Sequence, residues 1–216
     1  MIKYIVPCVA ILAIIVFILS PKLYRAKNKE EEFSYLNYFP VEAPITYKQK
    51  IINIFLTGVL AFLCAESYVS SLLVTSLTNV GLISSLILFV VSSLAYFLAN
   101  CFSLESYKAH LISFVIAFVS HIGGSVLIAI TLLTSEMHLE IVTPIAVIMG
   151  VLGLIQLMNL LIPKLKDWML LDKTEIDGHV TYVRPKTNSL CIVEWLYVVF
   201  ELMNIILLLI NNILIK

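Results

Sequence analysis

No short motif in this sequence marks a familiar soluble enzyme. The chain contains no Walker A loop, no dinucleotide-binding glycine pattern, no HExxH helix, no GxSxG turn and no CxxC pair. These patterns hold phosphates, catalytic metals and activated nucleophiles, so their absence leaves such chemistry without support. We therefore expect no cofactor, no metal site and no catalytic residue, and a non-enzymatic role is favoured.

Charged residues and cysteine are scarce as well. Charged residues make up 13% of the chain, against about 25% in soluble domains. The formal net charge is +0, which argues against direct binding of nucleic acid. The four cysteines lie singly in or beside hydrophobic runs, which favours buried, inert thiols over a disulfide framework or a zinc site: Cys8, Cys64, Cys101 and Cys191.

Apolar residues are correspondingly abundant. They make up 61% of the sequence, and the mean hydropathy is +1.02. Several continuous runs reach about 20 residues, the length that crosses a hydrocarbon core of about 30 Å as an α-helix. The sequence predicts an all-α integral membrane protein, a single polytopic domain over residues 1–216, with six transmembrane helices: 4–20, 51–76, 82–101, 110–133, 142–162 and 190–214.

The distribution of lysine and arginine predicts the orientation of these helices. The first, third and fifth loops hold six, one and five of the 14 basic residues, and the other side of the membrane holds only Lys3 and Lys216. Basic loops stay in the cytoplasm, so the odd-numbered loops are predicted to be cytoplasmic and both termini to lie outside. The plasma membrane, most simply a bacterial inner membrane, is the expected location.

Two of the cytoplasmic loops are long enough to have structure of their own. Loop 21–50 contains an acidic and aromatic stretch, 30–39, which we expect to form a short helix against the headgroups. Loop 163–189 alternates polar and apolar residues around an Asp177-Gly178 turn signal, which predicts a β-hairpin.

Three ionisable residues lie near the middle of predicted spans: Glu66, His121 and Glu201. Such groups cost about 2.5–3.5 kcal/mol each at the bilayer centre, so each needs a partner or a function. Asn204 lies one turn beyond Glu201 on the same helix face and joins them in a candidate intramembrane polar cluster. Glu194 lies nearer the cytoplasmic boundary, and we expect its side chain to reach the interface.

Two function classes fit this sequence best. The first is a non-enzymatic membrane component that acts as a homo-oligomer or with a cytoplasmic partner protein, in an envelope, toxin-immunity or phage-defence role. The second is a small ion channel or proton-coupled transporter that uses Glu66, His121 and Glu201. An intramembrane enzyme built on a His/Glu pair is a third and weaker possibility. If the three ionisable residues converge on one cavity within a protomer, transport is favoured; if they face outward, assembly is favoured.

Overall fold

Six α-helices and one pair of β-strands make up the regular structure of this computed structural model, within the residues that it describes. Those residues are 2–25, 33–72, 80–102, 106–134, 142–161, 172–176, 179–183 and 185–214. The helices are α1 (Ile2–Arg25), α2 (Tyr47–Leu72), α3 (Val80–Cys101), α4 (Tyr107–Thr134), α5 (Val142–Leu161) and α6 (Ser189–Leu214).

Five of these helices are long and apolar enough to cross a membrane, with mean hydropathies between 1.7 and 2.7. The exception is α5, whose most apolar part, Val147–Asn159, is shorter. Large apolar side chains cover the outside of the bundle, for example Phe55 and Phe62 on α2, as expected for surfaces in contact with lipid. The prediction of an all-α, multi-pass membrane protein is confirmed.

The helices form a closed ring in sequence order. Each packs against the next, α6 closes the ring against α1, and α6 also touches α2. Small residues set the close approach of α4 and α5, because a Cβ built on Gly150 would lie 2.9 Å from the Cβ of Ala129. The most buried helix is α6, with 56% of its span buried, compared with 22% for α1.

Hydrogen bonds show that both ends of the chain lie at the same end of the bundle. Asn212 Nδ2, near the end of α6, donates to the carbonyl of Lys3, near the start of α1, at 3.0 Å. At the opposite end, Gln49 Nε2 at the start of α2 donates to the carbonyl of Tyr24 at 3.1 Å. Since α4 and α6 both start at this second end, the chain returns between them. The described part of that return is α5, which runs antiparallel to α4, with Gly150 beside Ala129 and Gln156 beside His121. We call the two ends the terminal end and the basic end, the latter being where the odd-numbered loops connect helices.

Local sequence signals fix where helices begin at the basic end. Thr46 and Gln49 form a capping box for α2, in which Gln49 Oε1 accepts from the Thr46 N–H at 2.9 Å and the Gln49 N–H donates to Thr46 Oγ1 at 3.3 Å. Asn188 caps α6, because its Oδ1 accepts from the backbone N–H of Leu190 at 2.9 Å and of Cys191 at 3.3 Å. These caps satisfy backbone donors that apolar surroundings would leave unpaired.

Residues 33–46, which precede α2, fold over the basic end, and we call this segment the aromatic cap. The Tyr35 ring lies 4.8 Å from the Trp195 ring, and its hydroxyl donates to the carbonyl of Ile18 at 2.8 Å. Trp195 Nε1 donates to the Tyr38 carbonyl at 2.9 Å. Partial burial raises the pKa of the Tyr35 phenol, so the hydroxyl stays a donor.

The expected short helix over 30–39 is not found in the part that the structure describes. Residues 33–39 form a turn, in which the backbone N–H of Tyr38 bonds the Ser34 carbonyl at 3.1 Å, while 30–32 lie outside the described residues. Aromatic packing on Trp195 holds this turn, and Pro40 starts a single 3₁₀ turn, Pro40–Glu42. A proline fits the first position of such a turn because its missing N–H is not needed there.

Two short strands stand where the sequence predicts a hairpin. Strands β1 (Asp172–Ile176) and β2 (His179–Val183) pair antiparallel, with Asp172 opposite Val183. The segment that follows β2 is attached to the aromatic cap, since the Asn188 N–H donates to the carbonyl of Leu36 at 2.7 Å.

Candidate functional site

Two His–Glu pairs connect α4 to α6 across the centre of the bundle. His121 Nε2 lies 2.7 Å from Glu201 Oε2, and His110 Nε2 lies 3.2 Å from Glu194 Oε2. No side chain of the four is more than 5% exposed. We call His121 and Glu201 the midplane pair, because both lie near the middle of their helices, and His110 and Glu194 the basic-end pair. Four buried ionisable groups in an apolar bundle carry a large desolvation cost.

The hydrogen bonds of His121 define where its proton lies. Its Nδ1 is 2.8 Å from Gln156 Oε1, and a carboxamide oxygen only accepts, so Nδ1 carries a hydrogen. On the other side of the ring, Asn204 Nδ2 lies 3.2 Å from Nε2 and 2.9 Å from Ser125 Oγ. An amide N–H donates to Nε2 only when that nitrogen has no proton. With these amide orientations, the contacts of Gln156 and Asn204 describe a ring with its hydrogen on Nδ1.

The short contact between His121 and Glu201 suits one shared proton. A distance of 2.7 Å between Nε2 and Oε2 is favourable when a proton lies between them, either as the O–H of the acid or as the N–H of the imidazolium. Neither oxygen of Glu201 has a hydrogen bond of standard geometry within the described residues, but the Tyr68 hydroxyl and the Cys64 thiol lie close enough to donate to its carboxyl. Moving this proton to Nε2 converts the neutral pair into an ion pair without changing its total of protons. The midplane pair is thus a one-proton site with two internal arrangements.

Aromatic rings surround the midplane pair and keep its dielectric low. The Phe89 and Tyr197 rings lie 5.5 and 5.3 Å from the His121 ring. Tyr68 stacks on Phe89 at 3.9 Å, and its hydroxyl lies beside the Glu201 carboxyl, as does the Cys64 thiol. Such surroundings penalise the charged arrangement and favour the neutral one.

The basic-end pair repeats the same chemistry near the start of α4 and α6. His110 Nδ1 lies 2.8 Å from the carbonyl oxygen of Ala99, which can only accept, so this nitrogen also carries a hydrogen. The remaining nitrogen, Nε2, faces Glu194 Oε2, and one proton is again shared between a histidine and a glutamate. The Phe39 ring of the aromatic cap covers His110 at 5.4 Å.

The expectation that Glu194 reaches the membrane interface is wrong. Its exposed fraction is 0%, and it bonds His110 instead of snorkelling. Depth alone suggested the interface, but the helix face on which Glu194 lies turns inward. Sequence spacing contains the missing signal: His110 is eleven residues before His121 and Glu194 is seven before Glu201, both close to whole numbers of helical turns.

Hydroxyl groups occupy the space between the two pairs. Tyr197 Oη lies 2.8 Å from Ser92 Oγ, and Ser92 Oγ donates its hydrogen to the Ala117 carbonyl at 2.7 Å, so Tyr197 is the donor to Ser92. The Tyr96 ring lies 4.7 Å from the Tyr197 ring. Several buried oxygens in this region have no hydrogen bond of standard geometry within the described residues, among them Tyr96 Oη, Glu194 Oε1 and both carboxyl oxygens of Glu201.

A small cavity of about 10 Å³ lies between α1, α2, α3 and α6. That volume is about the minimum that holds one water molecule. Its wall is mostly apolar, and Glu201, Tyr96 and Tyr197 are among its residues; the others are Ile14, Leu60, Ala61, Cys64, Ser93 and Val198. The site can therefore accept a proton or a single water.

The structure brings three of the four residues of the predicted polar cluster together and leaves the fourth apart. It brings His121, Glu201 and Asn204 together, and adds Gln156 from α5, which spacing along the sequence did not connect to them. Glu66 is half-buried, and no hydrogen bond or ion pair joins it to another described residue. Glu66 therefore stands apart from the site.

Nothing in the described ranges resembles a metal centre, since no group of three or more His, Cys, Asp or Glu side chains converges there. All four cysteines are free. Comparison of the chain with protein-family models, with curated proteins and with solved structures found no match.

Proposed function

We propose that this protein carries out proton-coupled transport, or conducts protons, across its membrane, with His121 and Glu201 as the proton-binding pair. The observation that carries the proposal is the 2.7 Å contact between two buried, oppositely ionisable side chains within one protomer. Histidine and carboxylate side chains inside a membrane are the groups from which proton relays are built, which suits a proton carrier. Through the Nε2–Oε2 contact, the bound proton can move between the His121 and Glu201 side chains.

The surroundings argue for a proton rather than a larger solute. The cavity beside Glu201 has room for about one water, and apolar side chains form most of its wall. A second function for the pair, holding α4 and α6 together, is compatible with transport. However, apolar side chains of similar volume usually hold helices at least as well as a buried ion pair does. A gain in stability from packing therefore does not account for two such pairs.

Proton flux into proteoliposomes tests the proposal. Purified protein is reconstituted with an internal pH-sensitive dye, and a pH step is applied with a potassium gradient and valinomycin to set the voltage. Wild-type protein should accelerate proton entry, and Glu201→Gln and His121→Asn should each reduce that entry at least tenfold. Glu66→Gln is the matched control, because it changes a carboxylate on a neighbouring helix that stands apart from the site.

Flux that survives in both Glu201→Gln and His121→Asn would overturn the proposal. A folding defect is recognised by size-exclusion chromatography and by the helical circular dichroism of the same preparations. A variant that is folded and inactive supports the assignment.

A role that depends on a partner protein is a second candidate, favoured by the organisation of the basic end. The strands β1 and β2 extend from a segment that the aromatic cap anchors through the 2.7 Å bond of Asn188 to Leu36. We propose that this end binds another protein or a second copy of the chain. Crosslinking in native membranes, followed by mass measurement in mild detergent, tests it: a species of monomer mass alone argues against it. The bacterial inner membrane and an envelope, immunity or phage-defence process stay predictions.

A further inference from the structure

We infer that the basic-end pair is a second proton site, which loads the midplane pair from the basic end of the bundle. The inference rests on the proposed function and adds to it a direction of access. It uses two residues, His110 and Glu194, that the midplane chemistry does not require.

Position is the first argument. His110 is the fourth residue of α4, whereas His121 lies about 16 Å deeper at the rise of an α-helix. A proton that arrives from the aqueous side at the basic end therefore meets the basic-end pair first. The ionisable groups that face this pair are the Glu42 carboxyl beside His110, the hydroxyls of Tyr96 and Tyr107 and the Cys191 thiol.

The second argument is the group of polar atoms between the two pairs. Tyr96 is close enough to Glu194 to interact with it electrostatically, and it borders the cavity that Glu201 also borders. The Tyr96 hydroxyl lies beside the Asn100 side chain, and neither Glu194 Oε1 nor Glu201 Oε1 has a hydrogen bond of standard geometry within the described residues. One water in this cavity would connect Tyr96 to Glu201. The ionisable groups that face Glu201 there are Tyr197, Cys64 and Tyr68.

The third argument is the contrast with the terminal end. Beyond Ser125 and Asn204, the buried side chains of the described residues are mostly apolar. The polar ones there are Ser85, whose hydroxyl donates to the Gly81 carbonyl of its own helix at 2.8 Å, together with Thr131 and Asn212. Among the described residues, none of these three side chains is ionisable, whereas the basic-end side holds the buried His110 and Glu194. Access from the terminal end would require a different conformation.

Each proton transfer along this route forms one bond to hydrogen and breaks another. A proton binds His110 Nε2 or Glu194 Oε2, and the proton already held there leaves through Glu194. Glu194 gives its proton to Tyr96 Oη as the Tyr96 hydroxyl proton passes to one water, and the water gives a proton to Glu201. The proton that Glu201 already held moves to His121 Nε2, so each oxygen on the route gains one O–H bond as it loses another. No oxidant, reductant or metal takes part.

Infrared spectroscopy of the reconstituted protein tests the inference. The C=O stretch of the protonated Glu201 acid is identified as the band that disappears in Glu201→Gln. When the film is transferred to D₂O, that band shifts at the rate at which the acid proton exchanges. His110→Asn, Glu194→Gln and Tyr96→Phe should each slow this exchange at least tenfold while leaving the final shift unchanged. Tyr47→Phe and Glu66→Gln, which change an exposed hydroxyl and an unconnected carboxyl, should leave the rate as in the wild type.

The outcomes separate the inference from the proposed function. If the Glu201 band exchanges equally fast in the His110, Glu194 and Tyr96 variants, the inference is refuted while the midplane pair keeps its role. If the wild type shows no protonated Glu201 band and no flux, the proposed function itself fails. Should a single variant not fold, the double variant His110→Leu with Glu194→Leu removes both partners together and is tolerated better by an apolar bundle. Exchange at the wild-type rate in a folded double variant also refutes the inference.

Discussion

Replacement of Glu201 by glutamine distinguishes the two ways in which the midplane pair can hold its proton. Glutamine keeps the shape of the protonated acid and can donate N–H to His121 Nε2, as the acid donates O–H. If the pair is neutral, the change exchanges one hydrogen bond for another, and the loss in unfolding free energy is about 0.5–1.5 kcal/mol. If the pair is ionic, the change leaves a buried imidazolium without its counter-charge, and the loss is about 3–5 kcal/mol.

The contacts around His121 favour the smaller loss. Gln156 requires a hydrogen on Nδ1, and Asn204 donates toward Nε2, which describes a neutral ring. Equilibrium unfolding in mixtures of mild and denaturing detergent, followed by circular dichroism, measures the difference. A loss of about 3 kcal/mol or more would refute the neutral assignment. The control Glu66→Gln should remain within about 0.5 kcal/mol of the wild type, because its carboxyl is half-buried and stands apart from the described polar groups.

Three further substitutions test the packing. Gly150→Val places side-chain atoms where a Cβ alone comes within 2.9 Å of Ala129, so α4 and α5 should separate and unfolding free energy should fall by about 1–3 kcal/mol. Trp195→Phe removes the 2.9 Å bond to the Tyr38 carbonyl. Cleavage within 33–46 should become faster when protease is added to the side of the membrane on which the basic end lies. Asn212→Leu removes the bond between the two ends of the chain, at a cost of about 0.5–1.5 kcal/mol, measured by the same detergent titration.

Hydropathy located the helices well because insertion depends mainly on the composition of each segment by itself. The third segment, predicted over 82–101, is found at Val80–Cys101, and the sixth, predicted over 190–214, at Ser189–Leu214. The first helix runs on to Arg25, beyond the predicted residue 20, even though Pro21 lies within it. The turn at 33–39 depends on distant Trp195 and has no local signal.

The choice of partners inside the bundle depends on how each helix is rotated, which composition does not reveal. Cys64 and Tyr68 on α2 face the site, whereas Glu66, two residues from each, does not. Two residues correspond to about 200° around an α-helix, so these side chains point in nearly opposite directions. The sequence alone assigns the same burial cost to Glu66 and Glu201, because it does not show which of the two faces the site.

The unequal spacing of the two His–Glu pairs has a consequence for how the helices can slide. The histidines are separated by about 16 Å along α4, and the glutamates by about 10 Å along α6. If α6 slipped by one turn, each glutamate would lose its histidine, and neither would meet the other one. Rotation of α6 breaks both contacts at once, because both glutamates lie on one face. Like a single buried asparagine in a coiled coil, the polar groups that make this bundle costly to insert also specify one register between its helices.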